Sequence, residues 1–397
     1  METNRYLELA WDFVTNTNKS VFLTGRAGTG KTTFLHKLKK ECSKRMAVVA
    51  PTGVAAINAG GVTIHSFFQL PFGAFTPGSH NFLSFKISGT KRKLIRALDL
   101  LVIDEISMCR ADLLDAIDQV LRQVRQTNMP FGGLQMLMIG DLNQLSPIVK
   151  DNEWIMLQTL YASPYFYESH ALQKMPPVKI ELQKVFRQSD EHFINLLNRV
   201  RDNELDEYTL EQLNKRYLPG VLPPDEDRYI TLTTHNNTAN RINQEKLDGI
   251  NSTVYSFDAS IYGDFPENMY PVDKTLYYKT GAQVMFIKND PSVDKRYYNG
   301  KIGVIKFIDK ENNLIKVECD GKEIIYAEPI EWQNTKYTLN TENKVQEEVA
   351  GTFTQMPLKL AWAITIHKSQ GLTFDKAIID AGSRLQMSGW LLVVAAP

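Results

Sequence analysis

The chain has 397 residues, 43% of them hydrophobic, with 45 Lys plus Arg against 45 Asp plus Glu. That much apolar content supplies one or more substantial cores, suggests two or three domains and excludes a disordered chain. Zero net charge excludes attraction of the whole molecule to polyanions or membranes, so any nucleic-acid surface has to be local. Cys42, Cys109 and Cys319 are too far apart for a zinc pair or a disulfide framework. They read as packing residues of a reducing compartment. No stretch reaches the roughly 18 apolar residues of a membrane span. The acidic, helix-spaced start METNRYLELAWDFV is unlike a signal peptide, and a cytoplasmic location is expected.

From Ser20 to about Ile180, the short apolar runs SVFLTG, MAVVAP, LDLLVIDE and LQMLMIGD alternate with helical segments. Buried strands separated by helices predict an α/β domain with a doubly wound parallel sheet. A stretch rich in Phe, Gly, Ser and Pro, from about Thr63 to Lys91, breaks the rhythm and reads as an insertion. Beyond ELQKVFRQ come another strand, RYITLTTHNN, and a helix, TANRINQEKL. From about Val254 to Ala350 the character changes to hairpins, with NN and DG turns between β-branched runs, which predicts a small antiparallel barrel. LAWAITIHKSQGLTFDKAIID then reads as a helix followed by a buried strand, so the barrel is expected to interrupt a second α/β domain.

The strongest chemical signal is VFLTGRAGTGKTT, Val21 to Thr33. A G-x-x-x-x-G-K-T pattern between an apolar strand and a helix is a phosphate-binding loop, whose glycines let backbone N–H groups face the phosphates. Gly25, Arg26, Ala27, Gly28, Thr29, Gly30, Lys31, Thr32 and Thr33 are the expected nucleotide contacts. Lys31 would reach the β- and γ-phosphates, and Thr32 would hold Mg²⁺. The run into Asp104 and Glu105 places two carboxylates at the carboxyl end of a strand, where such sheets put ligands. Asp104 is expected to share the Mg²⁺ and Glu105 to orient or deprotonate the attacking water. Gln144, just past MLMIGDLN, is a suitable γ-phosphate sensor. No guanine-reading N-K-x-D sequence occurs; the nearest, NKRY from Asn214 to Tyr217, lacks the aspartate, so ATP is favoured.

Five further stretches, APTGVAAINAGGVTIHSFF, LLVIDEISM, GDLNQLSPI, VFRQSD and LAWAITIHKSQGLTFD, resemble successive motifs of the Pif (petite integration frequency) DNA helicases, superfamily 1, 5′-to-3′ branch. The resemblance runs from about Leu23 to Asp380, and EISMCRADLLDAIDQVLRQVR looks more like this family's signature helix than like the related RecD-type enzymes. It implies two RecA-like domains, 1–62 with 92–178 and 179–253 with 351–397. A wedge-like insertion would span 63–91 and a Src-homology-like barrel 254–350. It implies ATP-driven 5′-to-3′ movement on single-stranded DNA, with forked duplex and G-quadruplex substrates and roles in replication, repair and telomere maintenance. It also implies a monomer of bacterial or phage-like, nucleoid-associated type.

By the same resemblance, Pro51, Thr52, Gly53, His65 and Phe67 would contact single-stranded DNA from the first domain. Thr234, His235, Asn236, Thr365, His367, Lys368 and Gln370 would do so from the second. Gly371 would lie near the nucleotide, and Arg187 would act as an arginine finger on the γ-phosphate, a contact worth about 10³ to 10⁵ in rate. By residue type alone, the histidines and phenylalanines read equally well as core. Hydroxyls, amides and a few cations suit the phosphate backbone without reading bases, in keeping with zero net charge.

The end of the chain departs from the family pattern. After IIDAG the family continues to a motif like Y-V-A-L-S-R-C-R, whereas this chain reads SRLQMSGWLLVVAAP, with Arg384 outside the pattern. A shifted reading frame would explain the change and would remove a second arginine facing the nucleotide. A strand formed by GWLLVVAA is the alternative. Two other functions therefore stay open: an ATP- and DNA-binding scaffold with impaired turnover, and an ATPase that remodels a protein complex.

Overall fold

The computed structural model describes residues 5–26, 28–76, 87–184, 191–217, 224, 227–292, 294–342, 344–370, 372, 374 and 376–380. Two compact units emerge, residues 1–187 with 334–350 and residues 188–333 with 351–397.

The first unit begins with α1 (Arg5–Asn16), β1 (Val21–Gly25), α2 (Lys31–Glu41), β2 (Met46–Ala50), α3 (Gly53–Ala59), β3 (Val62–Thr63) and α4 (Ile64–Phe68). After α5 (Gly89–Ala97) come β4 (Leu100–Ile103), α6 (Ala111–Arg125), β5 (Gln135–Ile139), α7 (Asp151–Leu157), α8 (His170–Lys174) and β6 (Val178–Leu182). The strands form one sheet in the order β3-β2-β4-β5-β1-β6, with parallel pairing throughout. Successive side chains of a strand point to opposite faces, so a strand covered on both sides is apolar at every position. Phe22, Val49, Ile103 and Met138 pack into one core, while Val21, Leu23, Val48, Val102 and Leu137 pack into the other. This is why the sequence shows unbroken apolar runs.

The boundaries expected from sequence need two corrections here. β3 belongs to the main sheet, and Ile64, Phe67 and Phe68 of α4 are core residues, so the insertion begins after α4 rather than at residue 63. β6 pairs with β1 along its whole length, so the first domain extends to Leu182, beyond residue 178. Residues 77–86 of the expected insertion lie outside the described residues.

Helix α6 organises this unit through three buried aspartates one turn apart. Asp112 accepts hydrogen bonds from the Phe75 N–H (2.9 Å) and from the Arg110 guanidinium. Asp115 accepts from the Tyr161 hydroxyl (2.9 Å), the Ser169 hydroxyl (2.5 Å) and the N–H groups of His170 and Ala171 (both 3.0 Å). Asp118 accepts from the Phe131 N–H (2.5 Å) and pairs with Arg122. Carboxylates can be buried only with partners of this kind. The unit also includes the outer half of a hairpin from later in the chain. Its Tyr337 hydroxyl accepts the Val48 N–H at 3.0 Å, and its ring meets Phe67 edge-on.

The second unit contains α9 (Glu191–Arg201), α10 (Glu207–Asn214), β7 (Ile230–Thr233) and α11 (Asn236–Asp248). Then follow β8 (Val254–Asp258), β9 (Ser260–Gly263), β10 (Thr275–Lys279), β11 (Gln283–Phe286), β12 (Ile302–Asp309), β13 (Leu314–Cys319) and β14 (Ile324–Ala327). The hairpin strands β15 (Ile330–Leu339) and β16 (Val345–Gln355) lead into β17 (Leu358–Leu360), β18 (Ala363–Thr365), α12 (Ile366–Ser369) and β19 (Ala377–Asp380). β18, β7 and β19 form a parallel sheet, while the hairpin region forms antiparallel sheets, the largest ordered β14-β13-β12-β11-β17. β17 pairs with β11, so the inserted β region runs to Leu360 rather than to residue 350. The segment LAWAITIHKSQ holds the short strand β18 followed by a helix of only four residues, where a longer helix was expected. The β-branched Ile364 and Thr365 fit a strand beside β7.

Candidate functional site

In the first unit, the residues singled out from sequence gather at the carboxyl ends of the parallel strands, as the connection rules of such sheets require. β1 runs into the glycine loop. Gly25 has φ 151°, and a Cβ there would lie 2.7 Å from the Leu182 carbonyl, so only glycine fits without displacing β6. Gly30 has φ 96° and turns the loop into α2, whose first N–H groups face the loop. Lys31 folds back, its ammonium donating to the carbonyls of Gly25 (2.6 Å) and Arg26 (2.9 Å). Thr32 and Thr33 are exposed on the first turn of α2. Thr29 is wholly buried, and its hydroxyl donates to the Arg26 carbonyl at 2.8 Å, so its side chain holds the loop rather than facing a ligand. Ala27 lies outside the described residues.

β4 delivers Asp104 and Glu105. Glu105 adopts a left-handed backbone, φ 51°, an uncommon conformation for a non-glycine residue and one that clusters at functional sites. Burial pushes the Asp104 carboxyl up to about 6, against the pull of the Glu105 backbone N–H and the Lys31 ammonium. Burial also raises Glu105, to about 7, helped by the neighbouring Asp104 and Asp141 charges and opposed by Lys31. A carboxyl poised near neutrality beside a phosphate loop is suited to taking a proton from water.

Gln144 follows β5, and its amide donates to Asp141 Oδ2 at 3.3 Å. Asp141, 1% exposed, also accepts the Asn143 N–H at 3.1 Å. The sequence reading passed over Asp141. The available signal was its position, a carboxylate one glycine beyond a buried strand, much as the Asp104–Glu105 pair follows β4.

The expected DNA-contact residues divide by exposure. Pro51, Thr52 and Gly53 follow β2, with Thr52 capping α3 through a bond from the Ala55 N–H. His65 is half-buried, and its ring stacks on Phe72 with centroids 4.7 Å apart. Phe67 is 0% exposed and packed against Phe68 and Tyr337, so its expected base contact is corrected to a core role. Phe72, which the sequence reading missed, is 73% exposed and offers the open aromatic face of this segment.

In the second unit, Thr234, His235 and Asn236 follow β7, and the Thr234 hydroxyl lies 2.7 Å from His235 Nδ1. The Thr365 side chain is 3% exposed, where β18 pairs with β7, so its expected DNA contact is likewise corrected to packing. His367 is half-buried, Lys368 is exposed and Gln370 is half-buried. Burial lowers the pKa of both His65 and His367 from the usual 6.5; for His65 the Arg110 charge adds to the effect and Asp112 opposes it. Arg187, Gly371 and the segment 381–397 lie outside the described residues.

A glycine loop clasping a lysine at the end of one strand, with two recessed carboxylates at the end of another, defines a nucleoside triphosphatase fold of the phosphate-loop class. The chain belongs to the PIF1-like helicases, whose family model matches residues 4–211.

It is 34% identical over 377 residues to the human ATP-dependent DNA helicase PIF1, covering 92% of this chain and 54% of the human one. It is 30% identical over 397 residues to Pif1 of Campylobacter jejuni, covering 91% of this chain and 83% of that one. The chain thus spans about half the length of the human relative. Unliganded Pif1 from Bacteroides sp superposes with a TM-score of 0.91 at 40% identity, covering 99% of this chain and 89% of that one. Structures of the Bacteroides protein also exist with ADP-AlF4 (TM-score 0.91, 40% identity, 99% and 90% covered) and with single-stranded DNA (TM-score 0.67, 41% identity, 99% and 89% covered).

Proposed function

We propose that this chain is an ATP-dependent DNA helicase that moves 5′-to-3′ along single-stranded DNA and opens forked duplexes and G-quadruplexes. The reading is carried by the convergence of the phosphate loop, Asp104, Glu105 and Gln144 at one end of a single parallel sheet. Pro51–Gly53 follow β2 at that same end. Relatives named ATP-dependent DNA helicases, and a Bacteroides relative solved with single-stranded DNA, support it. The polarity rests on family membership.

The proposed reaction is attack of water on the γ-phosphorus with release of ADP and phosphate. Lys31 leaves the Gly25 and Arg26 carbonyls for the β- and γ-phosphates. Glu105 accepts the proton of the attacking water, and Gln144, held by Asp141, orients that water. Arg187 is assigned its finger role by resemblance. The Thr32 hydroxyl and the Asp104 carboxylate are oxygen donors of the kind Mg²⁺ takes together with its waters. Bound there, the ion would neutralise charge on the phosphates.

The first test is steady-state ATP hydrolysis with and without oligo-dT, with DNA binding measured on the same sample. Strong stimulation is expected, and a chelator should stop turnover while DNA binding persists. The departure of the tail from the family pattern favours one rival, a scaffold that binds both ligands and turns over slowly. Tight binding with negligible hydrolysis would establish that rival, whereas hydrolysis indifferent to DNA would favour an ATPase acting on protein complexes. A forked-DNA structure of the Bacteroides relative describes two coordinating helicases. Mass photometry on a fork would separate that arrangement from the expected monomer.

A further inference from the structure

The outward face of β12, β13 and β14 carries two exposed aromatic rings with a lysine between them. Lys316 on β13 is directly paired with Phe307 on β12 and with Tyr326 on β14, so the three side chains form one row on one face. The two aromatic positions are two strand spacings, roughly 9.5 Å, apart. Phe307 is 56% and Tyr326 46% exposed, while Ile308, Ile315 and Ile325 beside them are buried on the opposite face.

Phe307 is outward because of a break in the register. The pairing of β12 with β13 shifts between Ile305 and Phe307, leaving Lys306 and Phe307 both exposed in succession. Without this bulge, strict alternation from buried Ile305 would turn Phe307 inward. Bulges commonly serve to re-aim a side chain in this way.

Charge beside the row is balanced: Glu318, in the row on one side, is paired with both Arg228 (2.9 Å) and Lys306 (3.3 Å), and Asp309, in the row on the other, accepts from the Asn312 N–H and side-chain amide. Lys316 has no ion-pair partner among the described residues. β14 is an end strand of its sheet, which leaves the row open on that side. A sheet face with exposed aromatics and a free cation is the arrangement by which sheet-based modules hold unpaired bases and their phosphates.

We infer that this face is a second contact surface for single-stranded DNA, with Phe307 and Tyr326 stacking on bases and Lys316 holding the phosphate between them. The inference rests on the DNA-motor reading above and extends the DNA track onto the inserted β region. A protein segment is the competing occupant.

The test uses the full chain and fluorescein-labelled oligo-dT of two lengths, ~8 and ~30 nucleotides, the shorter falling within the site size of a single binding fold. The Phe307→Ala, Tyr326→Ala double variant should bind the longer oligonucleotide about tenfold more weakly, with affinity for the shorter one and DNA-independent ATP hydrolysis unchanged. Lys316→Gln should reduce the salt slope of long-oligonucleotide binding by about 0.7. Ultraviolet cross-linking of the unaltered chain to an iododeoxyuridine oligonucleotide should label Phe307 or Tyr326, a readout independent of how the variants fold. Equal long-oligonucleotide affinity in the double variant, loss of binding to both lengths, or absence of the cross-link would overturn the second surface. If the unaltered chain binds neither oligonucleotide, the DNA-motor reading itself fails.

Discussion

At the scale of single residues, the candidate catalytic groups differ in what their loss should cost. Lys31→Ala removes the cation proposed to reach the β- and γ-phosphates, and a fall in turnover of about 10²-fold or more is expected with the fold intact. Glu105→Gln keeps shape but cannot take a proton. Steady-state hydrolysis should drop by about 10² to 10⁴, while binding of a fluorescent ATP analogue persists. His65 and His367 have pKa values depressed by burial. Both are therefore mostly neutral above pH 6.5. Between pH 7 and 8, His65→Asn should leave the salt slope of DNA binding unchanged, whereas Lys368→Ala should lower it by about 0.7. A pH-independent slope change in the histidine variant would contradict the neutral assignment.

At the scale of elements, α6 is the part whose function is least visible from its composition. ADLLDAIDQVLRQVR reads as an amphipathic helix with acidic positions, and nothing in its spacing says that three of those aspartates are buried. Apart from Arg110 and Arg122, which lie close by in the chain, their partners come from segments 13 to 56 residues away in sequence and are supplied only by the fold. Asp115→Ala would leave two hydroxyls and two backbone N–H groups without their acceptor. A loss of stability on the order of 3 kcal/mol or more is expected, read as a lower urea midpoint at unchanged slope. Gly25→Ala should perturb the pairing of β1 with β6 as well as the phosphate loop, because its Cβ would strike Leu182. Weakened nucleotide binding together with a lower melting temperature would register both effects.

At the scale of the whole molecule, the two units have separate sheets, and the candidate nucleotide contacts among the described residues sit in the first. Ligands that bind a folded unit raise its apparent stability by mass action. A non-hydrolysable ATP analogue should therefore raise the calorimetric transition of the first unit more than that of the second. Single-stranded DNA, with candidate contacts in both, should raise each. Equal shifts with nucleotide alone would mean that the units unfold as one.

Sequence alone determined the phosphate loop, the strand-end carboxylates, the family and the α/β character of the chain. Each depends on residues adjacent along the chain, where local spacing fixes backbone geometry. It also located the inserted hairpins, because turn residues and alternation are local signals. The tertiary structure decided the rest. It decided which expected contacts are core, since the burial of Phe67 and Thr365 comes from distant elements packing over them. It decided that Asp141 stands behind Gln144 and that the first domain reaches Leu182. It also turned Phe307 outward, through a register shift between two strands that neither strand's own sequence discloses.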